Sequence, residues 1–261
     1  MNITDHDIIL LSYKPVSLEE IDNLTLMNRI DTKFAFSVTR LPLLLEQLMP
    51  YYSILEIDGR RTFIYKTRYF DTADMMFYNQ HVTGKLARYK VRFRTYESTG
   101  TTYLEVKKRT NRNRTIKFRI LRQDDSHALD ENAKTFISRY VPSSSLFLEQ
   151  NIHNVFSRMT LAGKTTKERI TIDIGMSYES VEGETSYLPY LAIAEVKSDR
   201  YQSSSPFILA ARKSGIKPTG FSKYCMGNVI LREVPKKNIL KQKILLLNKI
   251  RNEVTQSTTI A

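Results

Sequence analysis

The chain has 261 residues, with 40 Lys and Arg against 27 Asp and Glu, and so a formal charge of +13. Hydrophobic residues at 41% and aromatic residues at 10% describe a globular chain with enough apolar mass for a sizeable core, and exclude a disordered one. With 9 Gly and 8 Pro it is not collagen-like or low-complexity, and its single cysteine, Cys225, excludes an internal disulfide and a cysteine-built zinc site.

Ser17-Leu18-Glu19-Glu20 is a capping box, which predicts a short helix running to about Met27. The period then changes to two: Arg29, Asp31 and Lys33 alternate with Ile30, Thr32 and Phe34, a strand with a charged face. Leu41–Met49 reads as a helix packed on a core. Thr62–Phe70 reads as a strand, with Asp71 or Thr72 capping a short helix over Met75–Tyr78. Residues 88–96 alternate almost without fault, basic at Arg88, Lys90, Arg92 and Arg94, and apolar or aromatic at Tyr89, Val91 and Phe93. Tyr103–Lys107, with Glu105 and Lys107 on one face, and Thr115–Ile120, with Lys117 and Arg119 on one face, continue an antiparallel meander through turns at Ser98–Thr102 and Asn111–Asn113.

Farther on, Ala128–Glu149 reads as helix interrupted at Pro142–Ser145. Strands are expected at Val155–Leu161, Glu168–Ile174 and Leu191–Lys197. Ser205–Ser214 is a helix closed by Gly215 and Pro218. Ser222 caps a helix toward Leu231, and Asn238–Val254 is a basic helix with leucines at helical spacing. No linker divides the chain, so one domain over 1–261 is expected, with its core at about 27–231.

A single basic stripe is ordinarily a solvated face. Here the charged face recurs on strand after strand and also carries Asp31, Glu105, Asp173 and Glu195, while helices need an apolar sheet face to cover. The economical fold is α+β: a closed or nearly closed antiparallel barrel with helices packed on its outside and charges inside. Crowded Arg and Lys repel unless a polyanion sits among them, which points to a triphosphate or polyphosphate chain. No apolar run approaches a membrane span, and the N-terminus lacks the pattern of a signal peptide. With one cysteine, the expected compartment is the cytoplasm.

The ordered segments Arg29-x-Asp31-x-Lys33-Phe34, Tyr69-Phe70-Asp71-Thr72, Lys90-x-Arg92-x-Arg94-x-Tyr96, Leu104-Glu105-x-Lys107, Ser157-Arg158-x-Thr160, Arg169-Ile170-Thr171-x-Asp173, Glu195-x-Lys197 and Phe221-Ser222-Lys223-Tyr224 resemble the VTC domain, the polyphosphate-polymerase branch of the triphosphate tunnel metalloenzymes. The resemblance spans about Met27–Leu231. It implies that Lys33, Arg92, Arg94, Lys107, Lys117, Arg158, Arg169 and Lys223 hold phosphate oxygens. Of these, Lys33, Arg92, Arg94 and Lys223 would grip the nucleotide, and Glu195 would ligate Mn²⁺ or Mg²⁺. Arg suits bidentate contact with phosphoryl oxygens, Lys acts as a mobile point charge, and one carboxylate can hold a cation whose other ligands are phosphates and water. This chain departs from the family by carrying Asp31 where tunnel enzymes often have Glu. It also has Gly220 where some polymerases have Lys, the nearest alternative being Lys217.

The implied activity is transfer of the γ-phosphoryl group of ATP to a growing polyphosphate chain. The alternatives are a triphosphatase of the same fold and a non-catalytic polyphosphate or nucleic-acid binder. Nucleic acid fits poorly, because Tyr89 and Phe93 face away from Arg92 and Arg94, whereas stacking platforms need aromatics and cations on one surface. Gly163-Lys164-Thr165 lacks the first Gly of a P-loop, Arg158 standing there, and reads as a hairpin turn. His6, His81, His127 and His153 have no metal-ligand spacing and are expected at the surface. Cys225 reads as a packing residue. Ser222 reads equally as a helix cap and as part of an anion site. The basic helix Lys236–Arg251 reads as a solvated face or, alternatively, as a dock for a membrane partner at the inner face of a membrane. Lys85, Lys108, Arg109, Arg112 and Arg114 sit at or near turns, and most of them are expected to be solvated.

Overall fold

The computed structural model describes residues 5–23, 30–112, 114–122, 128–142, 147–199 and 203–259. The expected helix end near Met27, Arg29, Asn113, His127 and residues 143–145 lie outside the described residues.

Along the chain run α1 (Asp5–Leu11), β1 (Pro15–Val16), α2 (Leu18–Asn23), β2 (Ile30–Ser37), α3 (Leu41–Leu48), β3 (Tyr52–Leu55), β4 (Phe63–Asp71) and α4 (Met76–Val82). The meander follows as β5 (Arg88–Tyr96), β6 (Thr101–Arg109) and β7 (Thr115–Leu121), then α5 (Glu131–Ser138). The second half contains β8 (Glu149–Gly163), β9 (Glu168–Ser180), β10 (Thr185–Leu188), β11 (Leu191–Ser198), α6 (Pro206–Lys213), α7 (Lys223–Leu231) and α8 (Lys241–Thr259). The capping box forms as expected: the Ser17 amide donates to Glu20 Oε2 at 2.8 Å and the Glu20 amide to Ser17 Oγ at 3.2 Å. The helix expected over 128–149 is shorter than its sequence suggested. It is capped by Asp130 and ends at Ser138, and Glu149 already begins the long strand β8. Strand pairing overrides local propensity there, because β8 is bonded on both sides, by β4 and β9.

The strand path is β2-β11-β9-β8-β4-β5-β6-β7 and antiparallel throughout, with β10 beside β9, β3 beside β8, and β1 joined to β3 in parallel. The path is open, since no pairing of β2 with β7 is recorded among the described residues. The sheet nevertheless curls: Lys33 of β2, Lys107 of β6 and Thr115 of β7 line one cavity.

The convex face is apolar. Phe34, Phe36, Met159, Leu161, Ile170, Ile172, Ala194 and Val196 pack in one cluster with α1, α3 and α6. Val91, Phe93, Leu104 and Val106 pack with Phe136 and Ile137 of α5. The concave face is not uniformly charged. Ile152, Phe156 and Tyr178 form a cluster with Tyr224 and Val229 of α7 and with Leu247 and Ile250 of α8. Tyr69, opposite Arg92 in the ladder, packs tilted against Tyr224 with ring centroids 5.1 Å apart. So α7, with α8 packed against the same cluster, fills one end of the concave side, while α1, α3, α5 and α6 cover the convex face. Gly227 allows that approach, since a Cβ there would meet Ile152 Cδ1 and Tyr178 Cδ1, each at 2.6 Å.

The alternative reading of the basic helix, a dock for a membrane partner, is not supported. Leu247 and Ile250 bury the apolar side of α8 in this cluster, and Arg40 ties to Glu253 at 3.0 Å. No helix among the described residues is long and apolar enough to cross a membrane.

Candidate functional site

Strand pairing aligns the charged residues in rows. Lys33 faces Glu195, Glu195 faces Thr171, and Arg158 faces Asp173. On the other wall Lys90 faces Lys107, Arg92 faces Glu105, Arg94 faces Tyr103, and Lys107 faces Lys117. Like charges directly opposite one another destabilise an antiparallel pair. The carboxylates compensate, each at the centre of a cluster.

Glu105, 1% exposed, accepts from Arg92 at 2.5 and 2.8 Å and from Lys117 at 3.4 Å. Asp173 accepts from Arg158 Nε and Nη2 at 2.6 and 2.8 Å and from Lys223 Nζ. Glu195 is held more loosely, with Lys33 Nζ at 3.7 Å and Lys197 Nζ at 3.9 Å. Burial works against all three carboxylates as anions, but the surrounding cations outweigh it and hold each well below the usual carboxylate range. Repulsion from Arg92, together with burial, pushes Lys107 well below an ordinary lysine. Burial alone is the largest influence on Lys90, Lys197 and Lys223, each lowered to about 8, and on Arg94, lowered to about 10. Groups so displaced inside one cleft mark a functional site.

A cavity of about 630 Å³ opens between β2 and the ends of β5, β6 and β7, and Lys33, Lys107 and Glu195 line it. Arg92, Arg94 and Arg158 lie deeper, where Arg94 and Arg158 repel one another. Lys223 begins α7, capped by Ser222, whose Oγ also accepts from Lys90 Nζ at 3.1 Å. Lys117 pairs with Glu105. Arg169 stands apart from the cavity, beside Lys197, with Asp22 at 4.0 Å.

Several residues gathered here were not singled out from sequence. Lys90 and Lys197 sit inside recognised motifs, and strand parity alone would have found them. Arg109, expected to be solvated, lines the cavity, as does His81, expected at the surface. His81 bonds to the Tyr89 carbonyl at 3.0 Å, and burial beside Lys90 and Arg88 lowers it to about 2. Lys217 is exposed and outside the cavity lining. Instead Lys243, from α8, brings its Nζ to 3.7 Å from where a Cβ on Gly220 would stand. No local pattern announces that contact, because the two residues meet only through the docking of α8.

The donor set constrains any cation. No group of three or more His, Cys, Asp or Glu side chains that could hold a metal occurs among the described residues. Glu195, with its two long ion pairs, is the carboxylate best able to accept a cation, and phosphate oxygens and water would have to complete the shell. That division of ligands is the habit of Mg²⁺ and similar hard ions, so the residues fit a divalent ion that arrives with phosphate.

The family model described as the VTC domain matches residues 28–232. No curated protein matches the chain. Among solved structures, a protein of Hippeastrum assigned as an adenylyl cyclase and described as having dominant triphosphatase activity is similar. It has 14% identity and a TM-score of 0.48, over 79% of this chain and 98% of that one. A protein of Vibrio parahaemolyticus assigned as an adenylate cyclase is similar at 11% identity and a TM-score of 0.46, over 76% and 97%. A conserved protein of Pyrococcus furiosus follows at 12% and 0.40, over 73% and 92%.

Proposed function

The chain belongs to the VTC domain family of tunnel-fold phosphoryl-transfer enzymes, and from that premise we propose that it is a metal-dependent polyphosphate polymerase that moves the γ-phosphoryl group of ATP onto a growing polyphosphate chain. The observation that carries the reading is the convergence of Arg92, Arg94, Lys107, Arg158 and Lys223 on one lumen, with their charge only partly balanced by Glu105, Asp173 and Glu195. An empty lumen of that kind is electrostatically unfavourable and is completed by a polyanion.

In this reading Lys33, Arg92, Arg94 and Lys223 grip the triphosphate, and Lys107, Lys117 and Arg158 neutralise charge around the transferring group. A terminal polyphosphate oxygen is already anionic, so the acceptor needs no general base. The bond from that oxygen to the γ-phosphorus forms as the β–γ bridging bond breaks, and ADP leaves. When bound, Mn²⁺ or Mg²⁺ on Glu195 would supply Lewis-acid neutralisation of phosphoryl oxygens. The whole chain would act as a single cytoplasmic domain.

Purified protein incubated with ATP and Mn²⁺, with products resolved on a gel, tests the proposal. A ladder of chains supports polymerisation. Free phosphate without a ladder replaces it with triphosphatase activity, and no turnover replaces it with a binder.

A further inference from the structure

The concave face carries aromatic rings as well as cations, and one group of rings stands beyond the cluster that α7 fills. Tyr65 of β4 lies opposite Tyr96 of β5, and Tyr103 of β6 lies opposite Arg94. The Tyr65 and Tyr96 rings meet edge-on at 5.0 Å, and Tyr96 and Tyr103 at 6.0 Å with an interplanar angle of 89°. Guanidinium groups cover them: Arg158 stands 4.8 Å and Arg94 5.5 Å from the Tyr65 ring, and Arg119 stands 4.9 Å from the Tyr103 ring. All three tyrosines are partly exposed. The aromatics that the sequence argument weighed, Tyr89 and Phe93, do face away, into the cluster under α5. These three do not, so the objection that rings and cations occupy opposite surfaces fails at this rim.

We infer that the Tyr65–Tyr96–Tyr103 rim is the nucleoside end of the tunnel, where the base of a nucleoside triphosphate stacks while its phosphates point inward. The inference rests on the phosphoryl-transfer reading above and gives it a direction. Tyr65 is already stacked on Phe156 at 5.5 Å, and the partly exposed rings of Tyr96 and Tyr103 beside it offer a base a flat partner among guanidinium groups; such stacking tolerates any base because every base has a π-face. The spacing suits the ligand. From Tyr103 to Lys107 is four residues of strand, about 13 Å, with Arg92 and Glu105 between. A base at the rim therefore leaves its terminal phosphate near Lys107 and Glu195. The cavity between β2 and the ends of β5–β7 then lies on the far side, open to the acceptor chain.

Binding of ATP and of tripolyphosphate to wild type, Tyr96→Ala, Tyr103→Ala and Tyr103→Phe, each checked by thermal melting, tests this. Each Ala variant should bind ATP roughly tenfold more weakly and tripolyphosphate unchanged. Tyr103→Phe should restore ATP binding, and GTP should compete with ATP nearly equally in wild type. Ala variants that weaken both ligands alike, or neither, would overturn the inference while leaving the tunnel reading intact. Wild type that fails to bind tripolyphosphate would overturn the tunnel reading and the inference with it.

Discussion

Arg92 and Glu105 face each other across β5 and β6, and both Nε and Nη2 of the guanidinium donate to one carboxylate oxygen, Oε2. Glu105 also balances Lys107 and Lys117, so it is the counter-charge of that wall. Glu105→Gln leaves a buried guanidinium and its lysine neighbours without an anion, and removing one partner of a buried pair costs about 3–5 kcal/mol. Thermal melting should show a large loss of stability, and tripolyphosphate should restore much of it by supplying the missing negative charge. A variant as stable as wild type would show that the wall tolerates its own repulsion.

Lys107 is the opposite case. Arg92 and Arg94 crowd it, and burial adds to the penalty. Lys107→Ala should therefore leave the empty protein as stable as wild type or more so, yet cripple turnover. Arg94→Ala should behave likewise, less the packing of Arg94 on Tyr65. In melts with and without tripolyphosphate, wild type should show the larger ligand-induced rise, shrinking with salt. Equal shifts in wild type and variant would count against Lys107 as a phosphate contact.

Glu195→Gln keeps the shape and removes the charge that Lys33 and Lys197 flank. Divalent-metal-dependent turnover should be lost, while melting stays near wild type. Tripolyphosphate without metal should bind the variant at least as tightly, since a repulsive carboxylate is gone. An unaltered Mn²⁺ titration curve in Glu195→Gln would remove Glu195 as the ligand.

Lys90, Lys197 and Lys223 titrate near 8 in the folded protein, against 10.5 for an ordinary lysine. Between those values the unfolded chain binds more protons than the native one, so stability of the empty protein should rise with pH from about 8 to 10.5. Ligand affinity has the opposite trend. Polyanion binding draws the lysines back to the charged state, so tripolyphosphate should bind with proton uptake near pH 8 and weaken as pH climbs. Calorimetry in buffers of different ionisation enthalpy measures that uptake, and a value of zero would contradict it.

Gly227 lets α7 lie against Ile152 and Tyr178. Gly227→Ala should destabilise the protein by about 1–3 kcal/mol through overpacking, even though Ala favours helix. An increase in melting temperature would mean that α7 can shift without cost.

The alternation from Arg88 to Phe93 places cations on one face and Tyr89, Val91 and Phe93 on the other, and that follows from the two-residue period of any strand. Hence the sheet, its charged face and the caps at Ser17 and Ser222 were legible in the chain itself, as was the order of motifs that marks the VTC domain. What tertiary structure alone decided is which rows meet. Lys107 senses Glu195, Lys243 approaches Gly220, and α7 enters the concave side because a curled sheet brings together residues far apart in sequence. The rim of Tyr65, Tyr96 and Tyr103 was hidden for the same reason. Each tyrosine taken singly is an ordinary strand residue. Only the registers of β4 with β5 and β8, and of β6 with β5 and β7, set the three on one surface with Arg94, Arg119 and Arg158. Local periodicity determines the face on which a side chain stands; the partners it meets across the lumen are fixed by non-local pairing and packing, which no short window of sequence encodes.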